Sequence, residues 1–175
     1  MSKLRWLVCV SSLSLAMSAW AASTTGTFYT TTAVLKEFFK TSDKVTFMQF
    51  EKLPSQKRAD VVYVAASGDV VDGFAVVVEE IGQHEPITFG IATDAAGRVV
   101  RVEVMAYKEA YGGEIRSPRF LSQFVGLPAK PIDDVDAISG ATLSVKSSKR
   151  AVTRALGLIA RARAQRDQAT TTPAP

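Results

Sequence analysis

Five strand-like segments follow one another in the middle of the chain, and they restrict the possible folds more than any other feature. They are the runs rich in β-branched residues at 45–50, 60–66, 73–81, 86–93 and 98–107. The last run is the clearest, because Val100, Val102 and Val104 alternate with charged residues and so predict one buried face. The turn 94–97 before it contains Gly97, which can adopt the positive φ of a tight hairpin. The pattern predicts a mainly antiparallel sheet.

Segments with helical periodicity lie on both sides of these strands. A first helix is predicted over 32–40, with Thr31 or Thr32 as its N-cap. A short helix is predicted over 117–125 and a long one over 144–163. The apolar face of the long helix is formed by Val145, Val152, Leu156 and Ile159. Its basic residues, which we interpret as a solvated face, are Lys146, Lys149, Arg150, Arg154, Arg161 and Arg163. An antiparallel sheet packed by helices belongs to the α+β class.

The length of 175 residues, 47% of them hydrophobic, is typical of a single domain. We predict that this domain spans 31–164. The Ser/Thr-rich segment 22–30 has no apolar pattern and is predicted to be a flexible lead. The tail 165–175 lacks core-forming residues and is predicted to be disordered.

The first 21 residues have the features of an export signal. Lys3 and Arg5 precede the apolar stretch 6–17, and the small residues Ala19 and Ala21 then match a signal peptidase site. We predict cleavage after residue 21 and a periplasmic location. An uncleaved signal that anchors the protein to the membrane is the alternative, although the apolar stretch is shorter than a usual spanning helix.

Cysteine, histidine and charge exclude several classes of protein. The only cysteine, Cys9, lies in the predicted signal peptide, so the mature chain has no disulfide, iron–sulfur cluster or thiolate zinc site. The only histidine, His84, lies in a predicted exposed loop, which disfavours hydrolases and metalloenzymes. We therefore predict no catalytic residues and no metal site. The formal charge of +4 comes without a dense basic stripe, so we exclude nucleic acid as a partner.

The segment from Asp136 to Thr142, immediately before the long helix, carries the chemistry. It reads Asp-Ala-Ile-Ser-Gly-Ala-Thr, and its small residues leave the threonine hydroxyl open to another molecule. These small residues are Ser139, Gly140 and Ala141. The start of a helix attracts phosphate, because its N–H groups are unpaired and its dipole is positive there. No neighbouring base activates Thr142, so its modification requires another enzyme. The alternative is a simple N-cap turn, with Thr142 or Ser144 as the cap.

This segment resembles the flavinylation motif of FMN-binding domains, in which Asp is followed by two residues, Ser or Thr, Gly, Ala, and Thr or Ser. Such domains occur in the C subunit of sodium-pumping NADH:quinone oxidoreductase, in the G subunit of its Rnf relatives and in small exported redox proteins. In that family the residue at the position of Thr142 carries FMN through a phosphoester, which a magnesium-dependent flavin transferase makes from FAD. The resemblance implies covalent FMN on Thr142, an FMN-binding domain over 31–164 and a flavin transferase as a partner.

The resemblance extends over about 73–156. The stretch 120–126 is similar to the family's Phe-x-x-Gln-Phe-x-Gly pattern. Many members have Glu-Thr-Pro-Gly near the flavin, where this chain has Glu109-Ala110-Tyr111-Gly112. The aromatic ring of Tyr111 either stacks on the isoalloxazine ring or packs on its own loop. The further cofactor-binding residues that the resemblance implies are Glu109, Tyr111, Gly112, Gly113, Asp136, Ser139, Gly140, Ala141 and Leu143.

The function implied is that of an exported flavoprotein that relays electrons between redox proteins of the membrane or cell envelope. We expect a carrier and not an enzyme, because the sequence shows neither an acid–base pair nor a substrate site. Lys108, Arg116 and Arg119 are candidates for cations near the ring, with plain surface charge as the alternative. A flavin-free periplasmic binding module is the main alternative function, and a reductase acting on a small oxidant is another. Thr142 discriminates between the carrier and the binding module, since the module tolerates its replacement by alanine and the carrier does not, whereas the reductase would turn over an acceptor without any partner.

Overall fold

The strands form one antiparallel sheet in the computed structural model, which describes residues 26–50 and 59–171. They are β1 (Gly26–Thr27), β2 (Lys44–Gln49), β3 (Val61–Ser67), β4 (Val70–Ile81), β5 (Pro86–Asp94) and β6 (Val99–Tyr107). Their order across the sheet is β1-β6-β5-β4-β3-β2, and all neighbours are antiparallel. The five predicted strands and the α+β class are confirmed. Gly97 has a φ of +83° in the turn between β5 and β6, as predicted.

Helices and short 3₁₀ turns complete the described part of the chain. The helices are α1 (Thr31–Phe38), α2 (Pro118–Leu121) and α3 (Thr142–Thr171). The 3₁₀ turns are Gly113–Arg116, Ser122–Phe124 and Ile132–Asp134. Within 26–50 and 59–171, no helix is both long enough and apolar enough to cross a membrane.

The two faces of the sheet are covered by different helices. On one face Phe89 and Ile91 of β5 are buried in the main core together with Val152 of α3. Gly90 lies between them in the strand and therefore points to the opposite face. There the ring of Phe38 in α1 lies 3.4 Å from the position that a Cβ on Gly90 would take. The sheet is thus sandwiched between α3 and α1.

Residues 26–30 correct the prediction of a flexible lead. Gly26 and Thr27 form β1, paired with Tyr107 and Ala106 at the end of β6. A strand of two residues is too short to show alternation, so its sequence carries no strand signal. Residues 22–25, the predicted signal peptide and Cys9 lie outside the described residues.

The N-cap of α1 also differs from the prediction. The Oγ1 atom of Thr30 accepts a hydrogen bond from the backbone N–H of Ala33 at 3.2 Å. Thr30 is therefore the cap, and Thr31 is already helical. Thr30, Thr31 and Thr32 are consecutive and equally suitable as an N-cap, so the sequence alone does not show which of them caps the helix.

Helix α3 begins and ends outside the predicted 144–163. It continues to Thr171, so most of the predicted disordered tail is helical, while 172–175 lie outside the described residues. The segment 164–169 contains Ala, Gln and Arg, which are good helix formers, and the first proline follows at Pro173. The prediction of a disordered tail rested on the absence of apolar residues and did not take this helix propensity into account.

Val100 corrects the predicted alternation of β6. Thr93 pairs with Val99 while Ala92 pairs with Arg101, so Val100 is an extra residue in a β-bulge. Its exposed fraction is 49%, whereas Val102 is buried. A bulge depends on the partner strand and cannot be read from the alternation of one strand alone.

The basic face of α3 is only partly solvated, contrary to the prediction. Arg154 forms an ion pair with Asp60 at 2.6 Å, and Arg150 with Glu80 at 3.4 Å. Arg150 also donates a hydrogen bond to the carbonyl of Ile81 at 2.7 Å. These contacts hold α3 against β4 and the residue before β3, and the first turn of α3 lies close to the end of β6.

Candidate functional site

Thr142 is the first residue of α3, and its side chain is exposed. The N–H of Ala141 donates to the carbonyl of Ile138 at 3.0 Å, and the N–H of Val145 donates to the carbonyl of Ala141 at 2.9 Å. The helix therefore starts two residues before the predicted Ser144. The N–H groups of a helix's first turn have no partner within the helix, so this terminus can receive an anion.

The simple N-cap interpretation of this segment is wrong. The cap position is held by Ala141, which has no side-chain acceptor. Ser144 lies inside the helix, is 4% exposed, and its Oγ lies 3.0 Å from the Oη of Tyr107. Neither Thr142 nor Ser144 therefore caps α3.

The residues before Thr142 leave open space beside it. Gly140 has a φ of +80°, and a Cβ built there would meet no atom within 4 Å. Ser139 is exposed, whereas Ala141 is buried at the start of the helix. The backbone N–H of Asp136 donates to Oε1 of Gln123 at 2.8 Å, which fixes the start of the motif while the Asp136 carboxylate stays exposed.

The loop after β6 packs against the first turn of α3. Tyr107, the last residue of β6, is buried and donates a hydrogen bond to the carbonyl oxygen of Tyr111. Gly112 has a φ of +86°, and a Cβ built there would lie 2.5 Å from Oγ of Ser144 and 2.9 Å from Oη of Tyr107. Gly113 begins the following 3₁₀ turn and is partly buried. Gly112 of the predicted loop is thus packed against Ser144, two residues after the end of the motif.

Tyr111 and Leu143 present apolar surface at this junction. The exposed fraction is 81% for Tyr111 and 46% for Leu143. The interpretation of Tyr111 as a residue packed on its own loop is therefore wrong. Stacking of its ring on a flavin stays a prediction.

Glu109 has partners other than the motif. Its Oε1 accepts hydrogen bonds from the backbone N–H groups of His84 at 2.6 Å and Glu85 at 2.9 Å, and the residue is 5% exposed. Burial acts to raise the pKa of Glu109, but hydrogen bonds from the N–H groups of residues 83–85 and the nearby imidazole outweigh it and lower the pKa. A Cβ on Gly82 would lie 2.5 Å from the same oxygen. Glu109 thus fastens the β4–β5 connection to the loop after β6.

Residues 82–157 match the family model of the FMN-binding domain. These residues belong to the FMN-binding domain family. The matched segment contains β5, β6, the loop that carries Tyr111, the whole motif and the first half of α3. The match supports FMN as the cofactor.

The fold has a known counterpart. The structure is similar to the C subunit of the Na⁺-translocating NADH-quinone reductase from Parabacteroides distasonis, with a TM-score of 0.51 and 17% sequence identity. The similarity covers 73% of this chain and 81% of that one. At this identity the likeness is one of fold. No curated protein matches the sequence.

The three predicted cations differ in their surroundings. Lys108 and Arg119 are exposed. The guanidinium carbon of Arg116 lies 3.6 Å from the ring centroid of Phe28, a cation–π contact that directs it toward the segment after β1. His84 is exposed, as predicted. In the described ranges, no three His, Cys, Asp or Glu side chains are grouped so as to hold a metal ion.

The sequence interpretation missed Tyr107 and a row of buried serines in α3, and it included Gln123 only as part of the 120–126 pattern, without its bond to Asp136. Ser147 donates to the carbonyl of Ile81 at 2.5 Å, and Ser148 to that of Ser144 at 2.9 Å. The signal was present, because these serines continue the spacing of the small residues 151 and 155 along one helical face. A face of small residues indicates that the helix packs closely on the sheet, but it does not show which loop lies against the helix.

Gly112→Ala tests the close packing of the loop on α3. We expect it to lower the free energy of unfolding by about 2–3 kcal/mol, because backbone strain adds to an overlap with two buried hydroxyls. Gly126→Ala is the matched control, with a φ of +90° and no atom within 4 Å of the new Cβ. We expect Gly126→Ala to lower the free energy of unfolding by about 1 kcal/mol, because only backbone strain opposes it. Denaturant unfolding measures both, and equal losses would contradict the packing described here.

Proposed function

We propose that this chain is an exported flavoprotein that carries FMN covalently on Thr142 and relays electrons between redox proteins of the cell envelope. One observation supports this most strongly: Thr142 is exposed at the first position of α3, inside the segment that matches the FMN-binding domain.

The surroundings of Thr142 suit a phosphoester. The first turn of α3 offers N–H groups and the positive end of the helix dipole to a phosphate. The open space beside Gly140 leaves room for a large donor to approach. In the attachment reaction the Thr142 oxygen forms a bond to the FMN phosphorus of FAD, the phosphoanhydride bond breaks, and AMP leaves. The hydroxyl proton passes to a base of the flavin transferase, which also holds the magnesium ion.

The exposed surface near Thr142 suits the ring. Tyr111 and Leu143 offer one aromatic and one aliphatic contact. When bound, the flavin supplies one- and two-electron chemistry. A covalent tether keeps the local concentration of the ring high, even where its contacts with the protein are few.

A carrier accounts for this geometry better than an enzyme with its own substrate. A substrate enzyme usually needs a concave site that excludes water. One such cavity, of about 360 Å³, lies between α1 and the strands β2 and β3, lined by residues such as Leu35 and Phe47. Thr142 lies instead on an exposed turn, where a partner protein can come within electron-transfer distance. The proposed donors and acceptors are membrane or envelope redox proteins, with the signal peptide providing export or, if uncleaved, an anchor.

Peptide mapping tests the covalent attachment. The protein is coexpressed with a flavin transferase and digested with trypsin, which leaves 120–146 as one peptide because Lys130 is followed by Pro131. We expect this peptide to be heavier by one FMN less one water, with fragment ions that locate the addition on Thr142 and not on Ser139 or Ser144. Protein made without the transferase is the control. An unmodified peptide, beside a control substrate that is flavinylated, would favour the binding-module alternative.

The relay is tested on the flavin-loaded protein. Host membrane vesicles supplied with NADH under anaerobic conditions should bleach its visible flavin absorbance faster than that of an equal concentration of free FMN. Equal rates would argue against recognition by a membrane donor.

A further inference from the structure

We propose that Tyr107 and Ser144 are positioning residues for the flavin: their hydroxyls fasten the loop that carries Tyr111 to the helical turn that carries Thr142, and so hold the tyrosine ring against the flavin ring. This inference rests on the proposed function.

The hydroxyls form a directed chain of hydrogen bonds. Tyr107 has a single hydroxyl proton, which it donates to the carbonyl oxygen of Tyr111. Its Oη lies 3.0 Å from Oγ of Ser144, so Ser144 is the donor in that pair. Tyr107 is 0% exposed and Ser144 4% exposed, so water does not replace these bonds. Losing either hydroxyl leaves a buried partner unsatisfied.

The phenol of Tyr107 keeps the proton that this pair of hydrogen bonds requires. Burial raises its pKa, and the carboxylates of Glu109 and Glu114 act in the same direction, against the hydrogen bond with Ser144. Tyr107 therefore donates to the Tyr111 carbonyl throughout the physiological pH range.

These hydrogen bonds connect the turn that carries Thr142 to the loop that carries Tyr111 through rigid elements. Ser144 is two residues from Thr142 in the first turn of α3, and Tyr107 ends β6. Gly112 lies against both hydroxyls, so the backbone next to Tyr111 has little freedom to move away. The Tyr111 side chain, in contrast, is 81% exposed and available to a neighbouring ring.

Flavin fluorescence reports the contact without any measurement of activity. A tyrosine ring stacked on an excited flavin quenches its emission by donating an electron, which then returns to the tyrosine, so nothing is consumed. We expect the emission of flavin-loaded Tyr111→Leu to exceed that of the wild type. In Tyr107→Phe the equilibrium between stacked and unstacked rings should shift about fivefold toward the unstacked state, the usual weight of one hydrogen bond. Its emission should therefore lie between the other two.

The double variant Tyr107→Phe/Tyr111→Leu separates positioning from other effects. If Tyr107 acts through Tyr111, the double variant should emit as Tyr111→Leu alone does, which is a non-additive result. Ser144→Ala breaks the same connection between loop and helix from the other side, so it replaces Tyr107→Phe if that variant fails to fold. Ser147→Ala is the matched control, because Ser147 bonds to Ile81 and not to the loop. Its emission should equal that of the wild type.

Each outcome has a defined meaning once intact mass has established how much FMN is bound. Emission unchanged in both Tyr107→Phe and Ser144→Ala would overturn the positioning role, as would an unchanged emission in Tyr111→Leu. An equal rise from Tyr107→Phe in the presence and absence of Tyr111 would also overturn it. Absence of FMN from the wild type would instead contradict the proposed function.

Discussion

Replacing Thr142 with alanine is expected to leave the protein colourless and at the mass of the unmodified chain, even when an active flavin transferase is coexpressed. The effect is all or none, because alanine has no oxygen with which to form the phosphoester. Thr142→Ser should still accept FMN, since it keeps the hydroxyl at the same helical position. Intact mass and visible absorbance after denaturation distinguish covalent flavin from flavin that is merely bound.

The Thr142 variants need a control for folding and for position. Thr142 is exposed, so its replacement should change the free energy of unfolding by less than about 0.5 kcal/mol. Thr153→Ala removes an exposed threonine from the same helix and should retain full flavin loading. Covalent FMN on the Thr142→Ala protein would show that another residue is the acceptor.

Glu109→Ala is expected to produce the largest loss of stability, about 3 kcal/mol, although Glu109 was identified by sequence as a flavin contact. The substitution removes a buried carboxylate and leaves the N–H groups of His84 and Glu85 without their acceptor. Glu109→Gln keeps one acceptor oxygen and should lose about 1 kcal/mol. Glu114→Ala, at an exposed glutamate nearby, should cost less than about 0.5 kcal/mol. Denaturant unfolding at neutral pH measures all three, and a loss for Glu109→Ala no larger than that for Glu114→Ala would contradict the role described.

The same carboxylate predicts a pH dependence. The folded-state pKa of Glu109 is lowered from its ordinary value of 4.5. Its contribution to stability is therefore fully present above pH 4.5 and declines as the pH falls through the lowered value. The wild type should lose stability below pH 4.5 more steeply than Glu109→Gln, as measured by thermal unfolding across that range. Parallel curves would show that Glu109 is not the group responsible.

The strands, the long helix and the motif could all be predicted because their signals are local. Side-chain alternation, a glycine in a hairpin turn and helical spacing depend on residues close together in the chain. The motif 136–142 is a contiguous stretch, so its place before the helix was evident, although the helix starts at Thr142 and not at Ser144. Local signals also misled: the alternation of β6 placed Val100 in the core, and a bulge exposes it.

The sequence by itself determined the class of fold and predicted which residue, Thr142, would accept the flavin. Only the tertiary structure decided how the surroundings of that residue are assembled. Tyr107 and Ser144 are 37 residues apart in the chain, and Glu109 lies 25 residues beyond His84. Which of these groups meet depends on strand register and on how α3 lies across the sheet. Those features arise from burial and hydrogen bonding summed over the whole domain, which no short stretch of sequence encodes.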